Sequence, residues 1–181
     1  MLPFPIGGTL AADGKHLPGP DPEAGPGEHG THAAQVLTER LAGLGIPVID
    51  PARVAGAATR ATSDDARQAA RIGARSGADF ALLGVLTRYR EREGSALGVR
   101  TPASVAYQVL VVRTVDGAIV TADRFDYTQQ PLSDNLLDLP LFLRGGGRWM
   151  TREELAGAAL GATAEKIAAA LRALPPGTRR R

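Results

Sequence analysis

Several residue types that carry specific chemistry are absent or scarce in this chain. It has no cysteine, which excludes a disulfide framework, a thiolate metal site and a cysteine nucleophile. Aromatic residues make up only 4% of the 181 residues, so the core must be built mostly from alanine, leucine, valine and isoleucine. No apolar run approaches the roughly 18 residues that a membrane-spanning helix needs. The composition is typical of a globular domain with an aliphatic core.

The charges are nearly balanced, which argues against a nucleic-acid-binding function. The formal net charge is +2, and almost all of the positive charge is arginine. A nucleic-acid-binding domain usually carries a clustered basic stripe. The one candidate stripe is Arg88, Arg90 and Arg92, which would share a face of a strand. Because Glu91 and Glu93 lie beside them, a solvated strand end is the better interpretation, and we predict no nucleic-acid partner.

The hydrophobic pattern predicts a single α/β domain over residues 1–174. We expect a two-layer mixed sheet that contains a three-strand antiparallel meander, with helices packed mainly on one face. A mobile Gly/Pro-rich loop is expected at 9–30 and a disordered basic tail at 175–181. The predicted elements are strands at 1–8 and 46–49, helices at 31–44 and 63–76, strands at 79–92, 104–114 and 118–127, and a helix from 151 to 174.

Local signals fix two of these boundaries. Thr151 and Glu154 form the pattern of a capping box at the start of the last helix. Asp116-Gly117 separates two strand-like runs and supplies the positive-φ position of a tight turn. The run at 104–114 is apolar on both faces, which predicts a central strand.

Residues 62–93 carry a resemblance to known families. They read TSDDARQAARIGARSGADFALLGVLTRYRERE, a helix, then Gly-Ala-Asp, then a strand ending in LLGVLTRY. This pattern resembles a group of bacterial envelope domains: the curli-secretion lipoproteins, the amino-terminal domain of the Tol-Pal β-propeller protein, and the outer-membrane lipoproteins that activate penicillin-binding proteins. The resemblance implies an α/β fold and an envelope location, and it implies no activity.

Three further segments are similar to uncharacterised bacterial lipoprotein-like proteins. They read REREGSALGVRTPASVAYQVLVV, DYTQQPLSDNLL and GGGRWMTREELA, and they cover much of residues 90–156. In the resembled families a first strand ending in "LPF" follows a signal peptide and sometimes a lipid-bearing cysteine. Leu2-Pro3-Phe4 matches that end, so the resemblance implies a lipid anchor upstream of Met1 and a periplasmic or outer-membrane-associated protein. The alternative is a cytoplasmic protein that starts at Met1.

No constellation in the sequence supports catalysis, a metal or a cofactor. His29 and His32 are three residues apart, but no third ligand is evident, so a solvated helix start is the better interpretation. The glycines at 145–147 precede a helix, but no lysine follows them as a phosphate-binding loop requires. No Gly-x-Ser-x-Gly nucleophile elbow is present. We therefore predict a protein that is not an enzyme and that binds neither cofactor nor metal.

Topology nevertheless gathers one candidate surface. Successive hairpins bring the loops at 93–103 and 128–148 to the same end of the sheet, and aromatic residues and arginine are the usual anchors of protein interfaces. We expect a protein partner in the envelope or a second copy of the chain to bind there. The candidate partner-binding residues are Tyr89, Arg90, Arg92, Arg100, Gln129, Asn135, Arg144, Arg148 and Trp149.

Two alternatives remain open from the sequence. The 128–148 segment can instead pack against the sheet, with Trp149 as part of the core. A cleft near Gly145–Trp149 can instead hold a small ligand or an active site, with Arg144, Arg148 and Asn135 beside an acid such as Asp126 or Asp134.

Overall fold

The computed structural model describes residues 28–50, 65–95, 99–130 and 148–175. These residues form three α-helices and five β-strands. The helices are α1 (Glu28–Gly43), α2 (Asp65–Arg75) and α3 (Arg152–Arg172), and the strands are β1 (Phe80–Arg90), β2 (Glu93–Gly94), β3 (Val99–Thr101), β4 (Ser104–Arg113) and β5 (Ile119–Thr128).

The main sheet has the order β1-β4-β5 and is antiparallel throughout. Phe80 pairs with Arg113 at one end of the β1–β4 ladder, and Arg90 pairs with Ser104 at the other. The register of β1 shifts between Leu86 and Arg88, so the strand bulges just before its polar end. The strands β2 and β3 form a separate two-stranded ribbon within the connection from β1 to β4.

The larger part of the core lies between one face of the sheet, α1 and α3. Leu86, Val105 and Val109 project from this face and are buried against apolar residues of both helices, such as Leu37 and Leu160. Because side chains alternate along a strand, this face takes every second residue of β4. The two helices run in the same direction: the Arg172 guanidinium of α3 donates to the Leu44 carbonyl just beyond the end of α1.

The opposite face of the sheet is covered over β1 and β4 by α2. Ala69 and Ile72 of α2 pack against Leu83 and Val112 of the sheet. The contact is close because α2 carries Gly73 there. A β-carbon on Gly73 would lie 2.7 Å from the Thr114 Cγ2 and 3.2 Å from the Ala81 Cβ.

The structure confirms the predicted α/β class, the antiparallel meander β1-β4-β5 and the central position of β4. Two helices share one face, as expected, and α2 adds a layer on the other. The predicted strand at 46–49 is wrong, since this segment has no regular structure, and Pro47 has no N–H to donate to a neighbouring strand. The ribbon β2–β3 was not predicted. The loop predicted at 9–30 is wrong at its end, because α1 begins at Glu28. The predictions for 1–8, 9–27, most of the 128–148 connection and the tail from 176 lie outside the described residues.

Candidate protein-binding end of the sheet

The strand ends predicted to converge lie side by side. Arg90 at the end of β1 pairs with Ser104 at the start of β4, which pairs with Thr128 at the end of β5. The helices α1 and α3 also begin here, because His29 and Arg152 contact the same tyrosine ring near the end of β1. We call this end of the sheet the loop end, and the opposite end, where β1 begins, the far end.

That shared ring belongs to Tyr89, which is 3% exposed. Its ring centre lies 4.8 Å from that of His29, and the Arg152 guanidinium carbon lies 5.0 Å from it. Burial, followed by the charge of Glu153, raises the pKa of Tyr89 to about 12. The prediction that Tyr89 is a surface contact is therefore wrong. The bulge in β1 places its side chain on the core face, where it joins α1, β1 and α3.

A single carboxylate, Glu91, ties the exit of β1 to the first turn of α3. Its Oε2 accepts the backbone N–H of Arg152 at 3.3 Å, and its Oε1 accepts the backbone N–H of Arg92 at 3.0 Å. The Arg92 side chain is largely buried, and its Nε lies 4.0 Å from Glu91. Its Nη1 is the one buried side-chain nitrogen or oxygen within the described ranges that has no hydrogen-bond partner. A buried donor without an acceptor lowers the stability of the fold, so the Nη1 of Arg92 is a destabilising group.

Gln129 also fixes the backbone at the loop end. Its side-chain Oε1 accepts the Met150 N–H at 2.9 Å, its Nε2 donates to the Arg148 carbonyl at 3.3 Å, and its backbone N–H donates to the Ala103 carbonyl at 3.1 Å. The residue is 3% exposed. The prediction that Gln129 contacts a partner is therefore wrong: it joins the end of β5 to the entry into α3 and so positions Arg148 and Trp149.

Arg148 lies on the surface in front of α3. Both terminal nitrogens of its guanidinium donate to the Glu154 carboxylate, and this hydrogen bonding lowers the pKa of Glu154. Glu154 also accepts the Thr151 N–H at 2.9 Å while the Thr151 hydroxyl accepts the Glu154 N–H, so the predicted capping box is confirmed. Trp149 is partly buried beside this cap.

The ribbon β2–β3 presents the most exposed charged pair at the loop end. Arg100 has a side chain that is 84% exposed, and its Nη2 lies 2.7 Å from the Glu93 Oε2. The Thr101 hydroxyl donates to the same oxygen at 3.2 Å. The hydrogen bond from Arg100 lowers the pKa of Glu93. Arg100 is therefore accessible, and its charge already has a partner on the ribbon.

The basic stripe considered from the sequence does not form a free cationic surface. Arg88 pairs with Asp126 across the sheet and donates to the Ser104 hydroxyl, while Arg92 lies beyond the end of β1. Arg90 is partly buried at the last position of β1. Six arginines and five carboxylates occupy the described part of the loop end, a net of +1: Arg88, Arg90, Arg92, Arg100, Arg148, Arg152, Glu91, Glu93, Asp126, Glu153 and Glu154.

Some predicted residues cannot be placed, and others were missed. Asn135 and Arg144 lie outside the described residues, as do the glycines at 145–147. Sequence reasoning did not select His29, Glu91, Arg152 or Glu153 as site residues. The charge alternation at 88–93 and the paired acids at the start of α3 were the available signals, but neither indicates which side chains meet.

Among the cavities lined by described residues, two lie at opposite ends of the sheet. The one at the far end has a volume of about 270 Å³, and its walls are mainly aliphatic. The one beside Tyr89 and Glu153 has a volume of about 10 Å³, which is the space of a single water. Neither cavity is lined by Arg148 or Trp149. The far-end cavity is lined by Leu41, Ile46, Pro47, Val48, Ile49, Gly77, Ala78, Asp79, Phe80, Leu82 and Leu171.

The described part of the chain offers no metal cluster. No group of three or more histidine, aspartate or glutamate side chains there could hold a metal ion. In the same residues, none of the helices α1 to α3 is both long and apolar enough to cross a bilayer.

Comparison with known proteins identifies no family. No protein-family model matches the chain, and no curated protein matches it. Among solved structures, the chain is similar to the PelC dodecamer from Paraburkholderia phytofirmans, with 15% identity over 74% of both chains and a TM-score of 0.41. A point variant of that dodecamer gives 13% identity over 93% of this chain and 84% of that chain, with a TM-score of 0.46. The hypothetical protein CT253 from Chlamydia trachomatis gives 13% identity over 94% of this chain and 96% of that chain, with a TM-score of 0.49.

Proposed function

We propose that this protein is a non-enzymatic accessory or assembly protein of the bacterial envelope, and that it binds another protein through the loop end of its sheet. The envelope location is supported by the sequence resemblance of residues 62–93 and 90–156 to envelope lipoprotein-like domains. The binding surface is supported by the arrangement of side chains at the loop end.

One observation carries the proposal: the exposed arginines of the loop end are paired with carboxylates on the ribbon and on the first turn of α3. Arg148 is fixed by Glu154 at the start of α3, and Arg100 is fixed by Glu93 on the ribbon. Ordering a long side chain on binding costs roughly 0.5–1.5 kcal/mol, and pre-ordered side chains avoid that cost. With the partly buried Trp149 beside them, these arginines form the kind of surface that protein interfaces use.

The charge balance argues for a protein partner rather than a polyanion. Binding to nucleic acid draws on unpaired lysine and arginine side chains, which neutralise successive phosphates. At the loop end, five carboxylates lie among six arginines, and Arg88 and Arg148 each have an acidic partner. A surface with both signs at fixed positions favours a partner with a matching pattern of both signs.

Site-specific photo-crosslinking tests the surface. A benzophenone amino acid at Arg100 should form a discrete adduct with one envelope protein in intact host cells. The matched control is Arg71, an exposed arginine on α2 away from the loop end. Adducts that are absent at Arg100, or equal at both positions, would contradict the proposal.

Swapping the charges of Glu93 and Arg100 distinguishes a loss of partner binding from a loss of folding. The variant R100E should lose the adduct, detected through a crosslinker at Trp149, because it places two carboxylates side by side. The double variant E93R/R100E restores a local ion pair with reversed orientation. If the pattern of charges is recognised, the double variant should fold normally and still fail to bind.

The location is tested independently by fractionation of host cells, with mass spectrometry of the protein's amino terminus. A processed or lipid-modified terminus in the envelope fraction is expected. An unprocessed Met1 in the cytosolic fraction would exclude an envelope function, whatever the crosslinking result.

A further inference from the structure

The strand β5 lies at an edge of the main sheet. Its inner side pairs with β4, and the pairing is regular from Thr121 to Thr128. Within the described ranges no strand pairs with its outer side. An open edge presents a row of backbone donors and acceptors that can pair with another strand.

The strand carries few of the features that protect open edges. The residues from 119 to 128 include no proline, no lysine and no glycine. Its first residue, Ile119, is a large apolar side chain that is 55% exposed. The protective features that are present are the exposed charges of Arg124 and Asp126, a register shift near Ile119, and the inward-pointing Asp123. The Asp123 carboxylate is already satisfied by the Thr163 hydroxyl and by Lys166 Nζ at 2.7 Å. If another strand paired with β5, the Asp123 carboxylate would therefore not be buried without a partner.

The two faces of β5 differ in character. Phe125 lies on the face covered by α3, where its ring stacks on that of Tyr107 with centres 5.4 Å apart. Arg124 and Asp126 lie on the other face and are exposed. The Arg124 Nη2 and the Asp126 Oδ2 are 3.4 Å apart, and Asp126 also accepts from Arg88.

This order of charges is self-complementary. In an antiparallel pair with a two-fold axis at Phe125, perpendicular to the sheet, each residue lies opposite a residue of the second copy on the same face. Arg124 of each copy then lies opposite Asp126 of the other, which gives two equivalent ion pairs. Phe125 lies opposite itself. A shift of the axis to position 124 or 126 would instead set like charges opposite each other, which is destabilising.

We propose that the chain self-associates through β5, forming a two-fold dimer in which the three described strands of each main sheet join into one continuous sheet, with the register centred on Phe125. The partner is a second copy of this chain. The surface shares Asp126 with the loop end but does not include Arg100 or Trp149, the residues probed there, so this proposal does not depend on the proposed function.

Charge reversal tests the pairing. Sedimentation should show a reversible dimer for the natural sequence. R124E sets a second carboxylate opposite Asp126 and should weaken association at least about tenfold, since two symmetric pairs change from attractive to repulsive. R124D/D126R exchanges the charges and should recover association. R71E, at an exposed position of α2, should leave it unchanged. A natural protein that stays monomeric, or a dimer that R124E does not weaken, would overturn the proposal.

Engineered cysteines test the register, and they also cover the case in which a charge variant folds poorly. The chain has no cysteine of its own. Mixed R124C and D126C proteins should form a disulfide-linked heterodimer on oxidation, because directly opposite β-carbons are about 4.5–5.5 Å apart. R124C alone should crosslink far less, because diagonal positions are about 7–8 Å apart. Equal crosslinking in both cases, or none in the mixture, would exclude this register.

Discussion

The two ends of the sheet are held together in different ways. At the far end, α1 and α2 stop by the same local device. Gly45 and Gly77 have φ of 76° and 77°, and each helix closes with a pair of backbone hydrogen bonds of the Schellman type, including Ile46 N–H to the Leu41 carbonyl and Ala78 N–H to the Gly73 carbonyl. The remaining contacts at this end are mainly aliphatic and surround the 270 Å³ cavity. Side-chain hydrogen bonds add to them, from the Thr114 hydroxyl to the Ala78 and Asp79 carbonyls and from Arg172 to the Leu44 carbonyl.

At the loop end the ties are polar side chains that join residues far apart in sequence. Gln129 reaches Met150, and Glu91 reaches Arg152 across 61 residues. Each such tie fixes a backbone segment that carries an exposed charge or aromatic ring. The difference indicates that the far end is held mainly by apolar packing, whereas at the loop end long-range hydrogen bonds fix the positions of surface residues.

We expect the largest effect on stability from substitution of Gln129, compared with substitution of its exposed neighbour Gln130. Q129A removes both side-chain hydrogen bonds and leaves the buried Met150 N–H without an acceptor. We expect it to lower the free energy of unfolding by about 2–3 kcal/mol. The exposed neighbour gives the control: Q130A should change stability by less than about 0.5 kcal/mol. Urea unfolding of both variants measures the difference. Equal effects would mean that the loop end is not held by Gln129.

A second prediction concerns the apolar packing toward the far end. G73A introduces a β-carbon 2.7 Å from the Thr114 side chain, so it should destabilise the protein by about 1–2 kcal/mol despite the better helix propensity of alanine. G161A, in the middle of α3, meets nothing within 4 Å and should instead stabilise by about 0.5–1 kcal/mol. Thermal unfolding of the two variants should shift in opposite directions. A stabilising G73A would mean that α2 can move away from the sheet.

The same contrast explains what sequence reasoning could predict. The capping box at Thr151 and the positive φ of Gly117 are local signals, and both are present where they were expected. The burial of β4 on both faces also followed from its unbroken apolar run. The apolar segment at 46–49 gave a false strand, because hydrophobicity alone does not provide a pairing partner.

The candidate site was less predictable because its contacts are long-range. The convergence of strand ends could be inferred from hairpin topology, but the side-chain directions could not. The bulge after Leu86 turns Tyr89 into the core, and no pattern in the sequence marks the bulge. Gln129 follows directly on the exposed end of β5, so only its hydrogen bonds to Arg148 and Met150 reveal its structural role.

A third prediction uses the pKa of Tyr89, which is raised from 10.0 to about 12. The folded protein holds this proton more tightly than the unfolded chain, so the stabilisation is complete below about pH 10 and is lost as the pH rises towards about 12. Y89F cannot ionise and should show a shallower loss of stability over that window. Denaturant unfolding at a series of pH values measures the slope. Identical slopes would mean that Tyr89 is accessible to solvent in the folded state.

The smallest expected effect on stability is at Arg92, and it is the most informative about function. R92M keeps the length of the side chain and removes the buried Nη1 that has no acceptor. Because removal of an unsatisfied buried donor is neutral or favourable, the free energy of unfolding should stay the same or rise by up to about 1 kcal/mol. By contrast, R152M should be destabilising, since it loses the contacts of the guanidinium with Glu153 and the Tyr89 ring.

If the loop end binds a protein, R92M should lower the yield of the Arg100 crosslink while leaving the fold intact. A fall in stability of about 2 kcal/mol or more would instead assign Arg92 a structural role like that of Gln129. Unchanged stability with an unchanged crosslink would exclude Arg92 from the interface and confine the binding surface to the ribbon and the start of α3.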